Sequence, residues 1–113
     1  MQEPQSITPV DVNKLREKGD DIVLIDVRTK EEFAECHAAG AINIPLDEID
    51  ANKAVAAGAS PDKPVYIICK SGGRSFRAGQ MLIGEGFKQV FNVETGTMGW
   101  TQAGLPATNQ VGK

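Results

Sequence analysis

The chain has 113 residues, with 12 lysine or arginine and 15 aspartate or glutamate residues, so its formal net charge is −3. This length predicts one domain, residues 1–113. The charge excludes a nucleic-acid binder that relies on a basic surface, and no apolar run approaches the ~20 residues of a membrane helix. The opening residues MQEPQSITP lack the basic start and apolar stretch of a secretory signal, which favours a cytoplasmic protein.

Capping signals mark the starts of the first two predicted helices. Thr8 is a suitable N-cap because a proline follows it directly, and Gly19 ends the helix that begins there. Thr29 and Glu32 have the spacing of a capping box, which predicts a second helix over residues 30–36.

Strands and helices are predicted to alternate along the chain. The predicted strands lie at 22–25, 41–44, 65–69 and 90–93, and helical segments follow at 46–59, from about 75 to 86 and at 98–103. This alternation predicts an α/β domain with a mainly parallel central sheet and helices on both faces. Ligands of such sheets bind beyond the carboxyl ends of the strands.

The segment after the third of these strands has the composition of an anion-binding site. Cys69 ends the strand, and the next residues are Lys70, Ser71, Gly72, Gly73, Arg74 and Ser75. Adjacent glycines let backbone N–H groups converge, and the start of a helix is electrically positive. These groups and the two cations are expected to lower the pKa of a thiol from about 8.5. The sequence therefore favours a thiolate nucleophile at Cys69 over its alternative, a small buried hydrophobic residue.

Further segments accompany the loop CKSGGRS in a recognisable order: LIDVR, EEF, HAAGAINIP, GTMGW and GLP. Together they resemble the rhodanese family of sulfurtransferases, from about residue 7 to residue 106. The resemblance implies a rhodanese-like three-layer domain with about five short strands, a core at about 7–106 and short polar tails. It also implies an enzyme that forms a persulfide on Cys69 from a thiosulfate-like donor. The sulfur then passes to a thiol, a protein thiol or a cyanide-type nucleophile, with no cofactor or metal besides the covalent persulfide.

Four polar residues outside the loop are interpreted as structural support. Asp26 and Arg28 are expected to brace neighbouring loops, with Glu32 as a further partner of Arg28, because paired charges often serve architecture. His37 is the only histidine. The resemblance gives it a loop-shaping role, and the alternative is a general base beside the cysteine.

Cys36 stands where the family usually has glycine. It is interpreted as a partly exposed thiol at a helix end. The alternative is a resolving thiol that discharges or protects Cys69, which requires Cα atoms within about 7 Å. Lys70 is either a solvated turn residue or an attractor of anionic donors, and Arg74 is expected to face oxyanions bidentately.

Two other functions stay open. Cdc25-type phosphatases and their arsenate-reducing relatives share the rhodanese architecture, but they have one more residue between cysteine and arginine. In this chain Ser75 occupies the phosphatase arginine position. The shorter loop favours a single sulfur atom over a tetrahedral oxyanion. The other alternative is a low-turnover persulfide carrier or redox-sensing interaction module.

Overall fold

Strands and helices alternate through residues 3–108, the part of the chain that the computed structural model describes. In chain order the elements are β1 (Gln5–Ile7), α1 (Pro9–Glu17), β2 (Leu24–Asp26), α2 (Lys30–Glu35), β3 (His37–Ala38), β4 (Ile42–Asn43), α3 (Ala51–Ala56), β5 (Val65–Ile68), α4 (Gly73–Gly84), β6 (Val90–Val93), α5 (Gly96–Gln102) and β7 (Ala107–Thr108). The outer ends of the predicted polar tails, residues 1–2 and 109–113, lie outside the described residues.

Five strands form one parallel sheet in the order β1-β6-β5-β2-β4. Ile67 of the central strand β5 is in register with Ile25 of β2 and with Asn92 of β6. All four residues of β5 are buried, because a central parallel strand is covered on both faces. The predicted parallel α/β fold is therefore confirmed, and the carboxyl ends of β2 and β5 lie side by side.

Two hydrophobic clusters cover the opposite faces of this sheet. One contains Ile67 and Cys69 together with Leu82 of α4. The other contains Ile68 and Trp100 of α5. Successive residues of a strand point to opposite faces, so Cys69 continues the alternation and belongs to the cluster that contains α4. The helices accordingly form outer layers on both sides of the sheet, as predicted.

Both predicted N-caps are present. The Thr8 hydroxyl accepts a hydrogen bond from the backbone of Asp11 at 3.1 Å. Thr29 and Glu32 form the reciprocal bonds of a capping box, at 3.2 Å and 3.0 Å. The helix that follows, α2, ends at Glu35, one residue before the predicted end. None of the helices within residues 3–108 combines the length and the apolarity needed to span a bilayer.

Three short strands have no counterpart among the predicted elements. β1 adds a parallel edge to the sheet beside β6, and β3 pairs with β7 in a separate antiparallel ribbon. Their sequences, QSI, HA and AT, are too short for a hydrophobic period to show. α3 covers only Ala51–Ala56 of the predicted 46–59, and α4 begins at Gly73 because Gly72 adopts the cap position.

Candidate active site

Cys69 lies directly after β5, at the carboxyl edge of the sheet, and only 1% of its surface is exposed. Its sulfur accepts a hydrogen bond from the backbone N–H of Gly72 at 3.0 Å. The hydroxyl of Ser75 lies 3.3 Å from the same sulfur, within donating distance. The side chain is thus buried among apolar residues, but its sulfur faces polar donors.

A left-handed backbone at Gly72 creates this arrangement. Gly72 has a φ angle of 119°, a conformation that residues with a Cβ rarely adopt. The turn sends its N–H back to the sulfur and starts α4 at the next residue, Gly73. The two adjacent glycines of the sequence therefore have different uses, since Gly73 has an ordinary helical position with open space around it.

Neutral hydrogen-bond donors control the ionisation of Cys69. Burial by itself raises the pKa of this thiol, but hydrogen bonds from the Ser75 hydroxyl and from the backbone of Ser75, Gly72 and Ser71 outweigh it. The pKa of Cys69 is therefore lowered from its ordinary value. Lys70, one of the two cations expected to contribute, is exposed to solvent. Thiolate stabilisation consequently comes mainly from the backbone and one hydroxyl.

Arg74, the other expected cation, bonds a carboxylate instead of the sulfur. Its Nη1 and Nη2 donate to Oε1 and Oε2 of Glu32 at 2.8 Å and 3.0 Å. These bonds are the main reason that the pKa of Glu32 falls to about 2 and the pKa of Arg74 is raised. The pair joins the first turn of α4 to α2 across the mouth of the loop. The guanidinium fork is thus already occupied by a protein carboxylate.

Arg28 has a different partner from the one expected. Its Nε and Nη2 bond both carboxylate oxygens of Asp26, at 2.9–3.1 Å, and Nη2 also donates to the Cys36 carbonyl at 2.5 Å. The prediction that Arg28 bonds Glu32 is wrong, because Arg74 occupies that carboxylate. The Asp26–Arg28 pair is buried and connects the end of β2 to the end of α2.

The hydrogen bonds of His37 and Cys36 go to residues other than Cys69. The His37 ring stacks on Phe33 with centroids 3.6 Å apart, and its Nδ1 lies 2.7 Å from the Phe33 carbonyl. This buried ring packs β3 against α2. Cys36 is the half-buried C-cap of α2, and both cysteines are free thiols.

Residues of α5 secure the start of the loop, a contact that the sequence does not predict. The backbone and hydroxyl of Thr97 both donate to the Cys69 carbonyl, at 2.8 Å and 3.0 Å. The Met98 N–H donates to the Lys70 carbonyl at 3.1 Å. Gly96 lies so close that a Cβ on it would be 2.4 Å from the Cys69 carbonyl oxygen. The segment GTMGW is a sequence signal for this contact, but only the fold shows what it touches.

Comparison with known proteins places the chain in a family. The family model of the rhodanese-like domain matches residues 8–103. The chain belongs to the rhodanese-like domain family. A sulfurtransferase of Allochromatium vinosum is 32% identical over 87 residues, which cover 77% of this chain and 78% of that protein. YrkF of Bacillus subtilis, named as a proposed sulfur carrier protein, is 34% identical over 99 residues, which cover 85% of this chain and 52% of YrkF.

A solved structure supports the same assignment. The crystal structure of thiosulfate sulfurtransferase from Pseudomonas aeruginosa superimposes on this rhodanese-like domain with a TM-score of 0.85 and 25% identity. The match covers 95% of this chain and 20% of that one. The chain likewise spans about half of YrkF and 61% of YibN from Escherichia coli. The resemblance read from the sequence motifs is therefore confirmed at the level of family and fold.

Two clefts of the rhodanese-like domain flank the Glu32–Arg74 pair. The larger, of about 390 Å³, is lined by Arg74, Arg77 and Met81 of α4 and by residues after β2 and β4. The smaller, of about 200 Å³, is lined by Glu32, Cys36, Lys70, Thr97 and Met98 among others. Across residues 3–108, no three His, Cys, Asp or Glu side chains converge as metal ligands would.

Proposed function

We propose that this rhodanese-like domain is a sulfurtransferase that carries sulfur as a persulfide on Cys69. The proposal rests on one observation, the set of backbone and hydroxyl donors around the Cys69 sulfur. Such donors stabilise a sulfur anion without a counter-ion, in the way that an oxyanion hole stabilises an oxygen anion. The names of relatives, a sulfurtransferase and a thiosulfate sulfurtransferase, support the same reaction class.

The reaction begins with attack of the Cys69 thiolate on the outer sulfur of thiosulfate. A new S–S bond forms at Cys69, the S–S bond of thiosulfate breaks, and sulfite leaves with the bonding electron pair. The negative charge then lies on the outer persulfide sulfur, which we expect the backbone N–H groups of the loop to stabilise. In the second step a thiolate or cyanide attacks that outer sulfur and regenerates the Cys69 thiolate. The loop donors lower the pKa of the Cys69 thiol, so its proton leaves to solvent and the proposed reaction uses no base residue.

The length of the loop supports sulfur over phosphate as the transferred group. Four residues separate Cys69 from Arg74, and Ser75 occupies the place of the phosphatase arginine. Arg74 is held by Glu32 with two bonds, so it is not free to bind a tetrahedral oxyanion bidentately. The exposed Lys70 remains as the loop cation that attracts an anionic donor. Two free cysteines support a reducing compartment such as the cytoplasm.

A persulfide carrier is the second candidate, with a protein thiol as the acceptor. The description of YrkF as a proposed sulfur carrier favours it. A carrier is expected to load one sulfur and to release it slowly to small nucleophiles. An enzyme is expected to turn over repeatedly with cyanide or a small thiol.

Incubation with thiosulfate tests the proposal directly. Intact-mass measurement is expected to show one added sulfur atom per chain, with release of one sulfite. Cys69→Ser should abolish the gain, and Cys36→Ser serves as the matched control that keeps it. Absence of sulfur uptake, or hydrolysis of an aryl phosphate in its place, would reject the proposal. Adding cyanide to the loaded protein then separates enzyme from carrier by the rate of thiocyanate formation.

A further inference from the structure

Asn92 of β6 reaches the active-site loop through two hydrogen bonds. Its Nδ2 donates to the Gly72 carbonyl at 3.2 Å, and its Oδ1 accepts a very short hydrogen bond from the Ser75 hydroxyl. Asn92 is 8% exposed and Ser75 is fully buried, so water does not easily replace either partner. The bond to Gly72 fixes the amide so that Oδ1, an acceptor only, faces the serine.

The Ser75 hydroxyl has one proton and several acceptors around it. The Cys69 sulfur lies at 3.3 Å and the Gly72 carbonyl at 3.1 Å, besides the Asn92 oxygen. The Gly72 carbonyl already accepts from Asn92 and from the backbone of Phe76, which fills its two lone pairs. The sulfur and the Asn92 oxygen therefore compete for the serine proton.

We propose that Asn92 is a positioning residue for sulfur transfer. Its Oδ1 accepts the hydrogen bond of the Ser75 hydroxyl while the Cys69 sulfur is uncharged, and it loses that bond to the sulfur when the thiolate forms. This rests on the proposed function. In the thiol, the S–H group donates to the Ser75 oxygen, and the Ser75 hydroxyl donates its hydrogen bond to Asn92 Oδ1. When the thiol proton leaves to solvent, the hydroxyl turns to the sulfur and leaves the Asn92 oxygen unpaired.

When the persulfide forms, the Ser75 hydroxyl again donates its hydrogen bond to Asn92. The negative charge then lies on the outer sulfur, and the inner sulfur no longer needs the hydroxyl. A buried acceptor without a donor is unfavourable, so Asn92 disfavours the free thiolate relative to both the thiol and the persulfide. Asn92 thereby shifts the loading equilibrium with thiosulfate and sulfite toward the persulfide.

Charged groups around the sulfur are the same in every variant considered. They are Lys70 and Arg74 of the loop and α4, Glu32 of α2, and the Asp26–Arg28 pair after β2. α5 presents only the uncharged Thr97 to the Cys69 carbonyl. A shift caused by substitution at Asn92 therefore reports the serine and the loop backbone, not a change of neighbouring charge.

The test follows Cys69 alkylation by iodoacetamide as a function of pH, with peptide mass spectrometry to separate it from Cys36. Asn92→Ala is expected to lower the midpoint of the profile by about one pH unit, because the hydroxyl is freed for the thiolate. At a fixed ratio of thiosulfate to sulfite, the ratio of loaded to unloaded protein should fall about tenfold. In a Ser75→Ala background, Asn92→Ala should move neither quantity.

A midpoint that rises in Asn92→Ala, or a shift that persists unchanged in the Ser75→Ala background, overturns the proposal. If Asn92→Ala does not fold, Asn92→Leu fills a similar space without an acceptor and should also lower the midpoint, and an unchanged or raised midpoint there also overturns the proposal. The alkylation profile needs no thiosulfate. Failure of the wild-type protein to load sulfur would therefore reject the proposed function while the role of Asn92 is still decided.

Discussion

Gly96→Ala is expected to disturb the fold and the candidate site together, because Gly96 packs against the backbone of the loop that begins at Cys69. A Cβ at this position would lie 2.4 Å from the Cys69 carbonyl oxygen and 2.6 Å from the carbonyl carbon and oxygen of Lys70. These are main-chain atoms, so no side-chain rotation relieves the contact. Gly96 also has a φ of 56°, in the left-handed region.

Two effects set the size of the loss. A left-handed conformation costs a residue with a Cβ about 1–2 kcal/mol, and overpacking of a tight site costs about 1–3 kcal/mol. Gly96→Ala should therefore lower the free energy of unfolding by about 2–5 kcal/mol in urea denaturation followed by circular dichroism. Relief of the clash moves α5 from the loop and weakens the two Thr97 bonds to the Cys69 carbonyl. Sulfur loading from thiosulfate should slow in consequence.

Gly104→Ala is the matched control. Gly104 has a φ of 73°, but nothing lies within 4 Å of the position of its Cβ. It should lose only the conformational part, about 1–2 kcal/mol, and load sulfur at the wild-type rate. Equal losses of stability in the two variants, with normal loading in both, would refute the claim that α5 secures the loop through Gly96.

Three further changes test the surroundings of the loop. Arg74→Gln removes the partner that holds the Glu32 pKa at about 2, below its ordinary 4.5. In urea denaturation, Arg74→Gln should lower the free energy of unfolding by about 1 kcal/mol, because the pair is partly exposed. The whole loss should be seen above pH 4.5, and it should disappear as the pH falls toward 2 and Glu32 becomes protonated in the wild type. Asp26→Asn leaves the buried Arg28 without a counter-charge and should destabilise the fold by about 3–5 kcal/mol. Cys36→Ser should leave sulfur loading, measured by intact mass, unchanged, because the Cys36 thiol bonds nothing in the site.

An exposed ion pair is the control for the two charge substitutions, and oxidation tests the role of Cys36. Lys88 and Asp62 form an ion pair at 3.1 Å with both side chains about three-quarters exposed. Lys88→Gln and Asp62→Asn should each change stability by less than about 1 kcal/mol. The reasoning about Glu32 is contradicted if Arg74→Gln loses the same unfolding free energy at every pH from 7 to about 2. The reasoning about Arg28 is contradicted if Asp26→Asn loses as little unfolding free energy as Asp62→Asn. If an oxidant produces a disulfide between Cys36 and Cys69, Cys36 is a resolving thiol and not simply a partly exposed thiol at a helix end.

Local signals explain why much of the fold could be predicted from the sequence. Helix starts depend on caps within three residues, and both Thr8 and Thr29 make the bonds that their spacing predicts. The uncharged run of β5 marks the centre of the sheet, since a strand covered on both faces needs no polar side. Gly72 marks the turn because its left-handed φ favours glycine. Each of these inferences uses neighbours in sequence.

Side-chain partners across the fold could not be predicted in the same way. Glu32 bonds Arg74, 42 residues away, instead of the nearby Arg28, which has Asp26. Several cations near several carboxylates permit more than one pairing, and backbone geometry decides among them. The sequence does not single out Asn92, because a polar residue on a short strand has no motif around it. Its register with Ile67 places it beside the loop that follows β5.

The sequence predicts that backbone N–H groups and two cations, Lys70 and Arg74, act together on the Cys69 sulfur. In the structure the sulfur is bonded by Gly72 and Ser75, while Arg74 is paired with Glu32. A cation holds a negative charge best at one place, close to its own centre. Several neutral donors spread around a cavity can follow the charge from the inner to the outer sulfur without a counter-ion having to move. A site built from backbone N–H groups therefore suits a reaction in which the charge changes atoms but never leaves the loop.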